Sequence, residues 1–104
     1  MYKLCFFVPE SHLESVKSAL FALGAGTIGH YDCCAWQVAG QGQFRALEGS
    51  APFIGQHGVV ANVDEFRVEM VVGDEIIASV VEALVKVHPY EVPAYEYWPV
   101  NASL

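Results

Sequence analysis

The order of hydrophobic patterns along the chain is the feature that most restricts its fold. Apolar residues alternate with a period of two in some segments and recur every three to four residues in others, as strands and helices require. The clearest strand covers residues 62–72, where Phe66, Val68 and Met70 share one face. A broad apolar stripe with helical spacing follows at residues 76–85. The same succession of strand and helix also opens the chain.

Taken together, these patterns predict the order strand, helix, strand, strand, helix, strand. Ser11 and Glu14 have the spacing of a capping box, which predicts that the first helix begins there. Gly73 and Asp74 precede the second helix, and Pro89 bounds it. The predicted strands cover residues 2–8, 30–38, 62–72 and 92–100, with a turn at 39–42 and a short return at 43–47. This order is typical of the α+β, ferredoxin-like βαββαβ sandwich, an antiparallel sheet with two helices on one face.

Length and composition predict a single domain over residues 1–104 that assembles with copies of itself. Of the 104 residues, 54% are apolar and only 16% are charged, below the usual share of about 25%. The sheet face without helices carries aromatic residues that need cover, so we expect a homo-oligomer, a trimer first and a dimer second. The net charge of −7 argues against nucleic-acid and anionic-membrane binding, because both require basic patches.

The cysteines favour a reducing compartment. The chain has an odd number of cysteines, namely Cys5, Cys33 and Cys34, and no Cys-x-x-Cys motif occurs. Cys33 and Cys34 would point to opposite faces of the second predicted strand, where two thiolates could not hold one ion. We see no signal peptide and no apolar run of about 18 residues, so we expect a cytoplasmic protein.

One motif resembles a nucleotide site but lies in the wrong context. Residues 24–29 match G-x-G-x-x-G, whose mechanism needs a strand before it and a helix after it. Here a predicted helix precedes the motif and a predicted strand follows it. We therefore predict a helix C-cap and turn, with no dinucleotide bound.

The candidate site residues lie after the second helix. Pro89 and Pro93 stiffen the segment that presents His88, Tyr90 and Glu91. The predicted ligand-binding residues are His88, Tyr90, Glu91, His57 and Gly55, and the predicted metal ligands are His88 and Glu91. Two ligands alone would hold at most a weak, exchangeable divalent ion, and no other cofactor is expected. In the alternative interpretation His88 caps the helix and Glu91 pairs with a cation.

Several segments resemble the small domain of the Nif-three-like (NGG-interacting-factor-three, YqfO-type) family. They are GAGTIGHYDCC at 24–34, GQFRALEGSAPFIG at 42–55, EFRVE at 65–69 and HPYEVPAY at 88–95. The chain departs from the family pattern at Val92, usually an acid, and at Ala46, usually a proline. The resemblance implies a fold similar to the trimeric CutA and PII proteins. It also implies that the family's metal-binding residues lie in an outer domain, so the chain is expected to be the small domain standing alone.

These observations predict a binding or regulatory module without chemistry of its own, with a small molecule or another protein as its partner. Two alternatives stay open. One is a small metal-dependent enzyme with an intersubunit site near His88, Glu91 and His57. The other is a structural partner of a separately encoded metal-binding protein.

Overall fold

The computed structural model describes residues 1–102 and has one four-stranded antiparallel sheet with two helices. The elements are β1 (Tyr2–Pro9), α1 (Glu10–Phe21), β2 (Trp36–Arg45), β3 (Val60–Val72), α2 (Ile77–Val87) and β4 (Tyr95–Pro99). The strands are ordered β2-β3-β1-β4, so the two central strands are the first and third in sequence. The predicted order of elements is confirmed. None of the helices within the described residues is long and apolar enough to cross a membrane.

Strand alternation divides the sheet into a helix-covered face and an open face. On β1, Leu4, Phe6 and Val8 are fully buried beneath the helices, opposite Met70, Val68 and Phe66 of β3. The helices complete this core with a set of buried aliphatic residues: Leu13, Val16, Leu20, Val80 and Leu84. Because alternate residues point to opposite faces, the odd-numbered residues of β1 and β3 lie on the open face.

The second strand differs from its prediction at both ends. β2 is continuous from Trp36 to Arg45 and pairs with β3 throughout, so the predicted turn at 39–42 and the separate strand at 43–47 are wrong. Gly40 and Gly42 lie inside the strand, opposite Glu65 and Val63. The pairing with β3 outweighs the turn preference of the glycines.

Residues 22–35 connect α1 to β2, so the strand predicted from residue 30 begins later. Cys33 has a left-handed φ of 56°, and both cysteines precede β2, which overturns their placement on a strand. In the glycine motif, a Cβ at Gly26 would lie 2.6 Å from the Cys34 carbonyl oxygen. That glycine therefore permits its backbone to pack closely against the backbone of Cys34, whose N–H donates to the Gly26 carbonyl.

The helix starts also differ from the predicted ones. α1 begins at Glu10 with Pro9 as its N-cap residue, and no side chain caps it. Ser11 Oγ instead lies 2.8 Å from His12 Nδ1, so the predicted capping box is wrong. Pro9 has a φ of −68° and an extended ψ of 153°, so it ends β1 and the helix begins at the next residue.

Candidate ligand-binding site

A cleft of about 430 Å³ lies at one end of the open sheet face. The open face of the sheet contributes Phe7, Gly42, Phe44, Val63 and Glu65 to it, as strand alternation shows. Gln43 and Arg45 of β2, which alternation assigns to the opposite face, also contribute to the lining. Two segments form the remaining walls: the loop at residues 46–54 and the segment at residues 90–94. A cleft of this size with mostly apolar walls is within the range of small-molecule sites.

His88 holds the second wall in place from beneath the surface. Its side chain is buried, its backbone N–H donates to the Leu84 carbonyl at the end of α2, and its ring makes two further backbone contacts. Nε2 lies 2.6 Å from the Phe7 carbonyl oxygen and therefore donates to it, while Nδ1 accepts the Tyr90 backbone N–H at 3.1 Å. Burial lowers the pKa of His88, which favours this neutral ring. Both nitrogens are engaged, so this arrangement favours the structural interpretation over metal ligation.

Tyr90 connects that wall to the sheet. Its hydroxyl donates to Glu65 Oε2 at 3.1 Å, and its ring lies 4.8 Å from the His88 ring and 6.2 Å from the Phe53 ring, centroid to centroid. Burial, with the nearby Glu65 carboxylate as a further cause, raises the pKa of Tyr90. The phenol therefore stays protonated and acts as a donor that fixes Glu65 in the cleft.

Glu91 connects the two walls to each other. Its Oε1 accepts the backbone N–H of Ala51 at 3.0 Å, which joins the segment after α2 to the loop after β2. The expected pairing of Glu91 with a cation is replaced by this contact to a backbone amide. Phe53 of the same loop also packs edge-on against His12, with ring centroids 5.7 Å apart. The loop is therefore fastened to both α1 and the segment after α2.

His57 and Gly55 support the loop and do not line the cleft. His57 is exposed, and its Nε2 lies 2.7 Å from the Ser50 carbonyl oxygen. Gly55 has a φ of 93°, and a Cβ there would lie 3.2 Å from Ala61 Cβ. Of the five predicted ligand-binding residues, the structure thus places Tyr90 and Glu91 in the cleft wall, whereas His88, His57 and Gly55 are not part of the lining. Ligand binding by these five stays a prediction.

Within residues 1–102, no group of three or more His, Cys, Asp or Glu side chains is arranged to hold a metal ion. The metal site predicted at His88 and Glu91 would need further ligands from another copy of the chain. It stays a prediction.

The lining residues that the sequence did not identify include Gly42, Phe44, Phe53 and Glu65. A Cβ at Gly42 would overlap the Glu65 carboxylate and lie 2.9 Å from Glu65 Cδ. Gly42 therefore allows Glu65 to lie across the strand and reach Tyr90. A glycine inside a strand was the available signal, since it often marks a close approach of another group.

The rest of the open face is exposed and partly aromatic. Trp36 at one edge and Trp98 at the other are 60% and 38% exposed, and Val38 lies on the same face. Cys5, between the two edges, is buried, and burial raises the pKa of its thiol. The expected aromatic face is thus present in the structure.

The chain is similar to part of several longer proteins. It is 46% identical to the "GTP cyclohydrolase 1 type 2 homolog" of Mycobacterium bovis, a match covering 98% of this chain and 28% of that protein. A Bacillus cereus protein described as related to NIF3 superposes with a TM-score of 0.83 at 36% identity, over 97% of this chain and 26% of that one. The chain is homologous to one domain of NIF3-family proteins. It spans about a quarter of the length of the curated relatives it matches.

The chain also shares its fold with CutA. The periplasmic divalent cation tolerance protein CutA from Archaeoglobus fulgidus has a TM-score of 0.70 at 17% identity, over all of this chain and 88% of that one. The predicted CutA/PII-like, ferredoxin-like fold is confirmed. No protein-family model matches the sequence.

Proposed function

We propose that this chain is a non-enzymatic binding or regulatory module that assembles as a homotrimer and binds a small ligand in the cleft. The main observation in support of this proposal is the cleft of about 430 Å³, whose walls are held in place by contacts between residues far apart in sequence. Its polar side chains are engaged in holding the walls, as Tyr90 holds Glu65 and Glu91 holds Ala51. Such preorganisation suits ligand binding because little ordering cost remains when the ligand arrives.

The assembly proposal rests on the open sheet face. Trp36, Val38 and Trp98 lie exposed on it, and the chain is only 16% charged. Packing that face against another copy would bury aromatic side chains, which contribute most to interface stability. The trimer is favoured over the dimer by likeness to the CutA and PII folds. The free cysteines support a reducing, cytoplasmic location.

The alternative of a small metal-dependent enzyme is favoured by the names of the relatives, one a cyclohydrolase homolog and one a divalent cation tolerance protein. An intersubunit site of that kind would combine Glu91 of one copy with His57 of another, whereas His88 would first have to release a backbone partner. Stoichiometric metal retained after purification in metal-free buffer would favour this alternative.

The ligand site is tested by a ligand-observed NMR screen of small aromatic and aliphatic metabolites against the wild type and Phe53→Ala. Phe53 is 52% exposed and forms part of the cleft wall, so its removal should weaken binding at least fivefold with little loss of stability. Leu23→Ala is the matched control, because Leu23 is 41% exposed and does not line the cleft. Equal retention of all binders by Phe53→Ala would contradict a ligand site in this cleft.

A further inference from the structure

The charged side chains that face the cleft are acidic. Three charged residues contribute to its lining, namely Arg45, Glu65 and Glu91. Arg45 pairs with Val60 in the β2–β3 register, which assigns its side chain by alternation to the opposite face from Phe44 and Gly42. The two glutamates are therefore the charges presented to a ligand.

Each glutamate has one oxygen held and one oxygen available. Tyr90 occupies Glu65 Oε2, and the Ala51 amide occupies Glu91 Oε1. The second oxygen of each carboxylate makes no hydrogen bond to any of residues 1–102. The held oxygens fix the orientation of both carboxylates, and the other two can accept from a ligand.

The aromatic side chains of the cleft, like its two glutamates, favour a positively charged ligand. The faces of Phe and Tyr rings carry partial negative charge and attract cations. Phe7 already has a cation over its ring, since Arg67 Cζ lies 5.9 Å from the ring centroid while its Nε lies 3.7 Å from Glu69. Phe44, Phe53 and Tyr90 offer further ring surface in the same cleft.

We infer that the cleft selects a small organic cation, a primary amine attached to an aromatic or apolar body. This inference rests on the proposed ligand site and names the class of ligand that the site takes. The amine lies between Glu65 and Glu91, and the apolar body packs against Phe44 and Phe53. Gly42 is a positioning residue for this site, because it leaves the space that Glu65 needs.

The test compares three probes of nearly equal shape, followed through the backbone amide shifts of the chain. Tyramine is the cation, tyrosol the neutral molecule and 4-hydroxyphenylacetate the anion. Tyramine should shift the amides of residues 44–54 and 90–94 and bind at least tenfold more tightly than tyrosol, with the anion weakest. Glu65→Gln should weaken the binding of tyramine about tenfold. Glu91→Gln should weaken it about threefold, because Glu91 is more exposed. Gly42→Ala should resemble Glu65→Gln.

Glu82→Gln is the control, because it removes the same charge from the exposed surface of α2 and should leave all three affinities unchanged. Binding of all three probes in the cleft with equal affinity would overturn the inference and leave the proposed ligand site standing. A dissociation constant of roughly 10 mM is the weakest that still defines a binding site. If no probe at that concentration shifts the amides of the cleft residues, both the inference and the proposed ligand site are overturned.

Discussion

Replacing His88 with alanine should lower the free energy of unfolding by about 2–4 kcal/mol. The variant leaves the Phe7 carbonyl and the Tyr90 amide without their ring partners at a position that is only 6% exposed. Unpaired buried polar groups and the space left by the ring both destabilise the folded state. Urea denaturation at pH 7.5 measures the change. A loss below about 1 kcal/mol would contradict the structural role.

The same residue should make stability depend on pH. Burial lowers the pKa of His88 in the folded state below its ordinary value of 6.5, so the unfolded chain binds the proton more tightly. The His88 contribution is therefore complete above about pH 6.5 and decreases as the pH falls through the lower, folded-state pKa. His88→Ala should lose this component. His57→Ala is the control, because His57 is exposed. This substitution should lower the free energy of unfolding by less than about 1 kcal/mol, and the variant should keep the pH dependence of the wild type.

If the chain forms the proposed homo-oligomer, replacing Trp36 with glutamate should convert it to monomer at micromolar concentration. The open face places Trp36 where a second copy would cover it, and a charge there would have to be buried without a partner. We expect the dissociation constant to rise at least a hundredfold, about 2.7 kcal/mol or more. Light scattering coupled to gel filtration measures the mass of each species.

Leu23→Glu provides the control for that experiment. Leu23 is exposed beyond the end of α1, away from the open face, so the variant should remain oligomeric. A monomeric wild type at 100 μM, roughly a hundred times a micromolar dissociation constant, would contradict the proposed assembly. The same conclusion would follow if both variants kept the wild-type mass.

The fold was predictable because its main signals are local. The alternation along β3 and the apolar stripe of α2 each depend on neighbours within one element. The errors arose where distant pairing outweighed local preference. Gly40 and Gly42 suggested a turn, but ten consecutive pairs with β3 hold them in β2.

The site was predictable only in part for the same reason. Two prolines and the end of α2 identified the segment that carries Tyr90 and Glu91. Their partners, Glu65 and the Ala51 amide, are 25 and 40 residues away in sequence, and no local pattern links them. The engagement of both His88 nitrogens likewise depends on Phe7, 81 residues earlier.

A crystallographic fragment screen on the wild-type protein tests the central claim, that the cleft at the end of the open sheet face is a ligand site. We expect bound fragments to concentrate between Phe7, Phe53 and Tyr90, with amine-bearing fragments placed against Glu65 and Glu91. Fragments bound only elsewhere, with the cleft filled by side chains of a neighbouring copy, would contradict the claim.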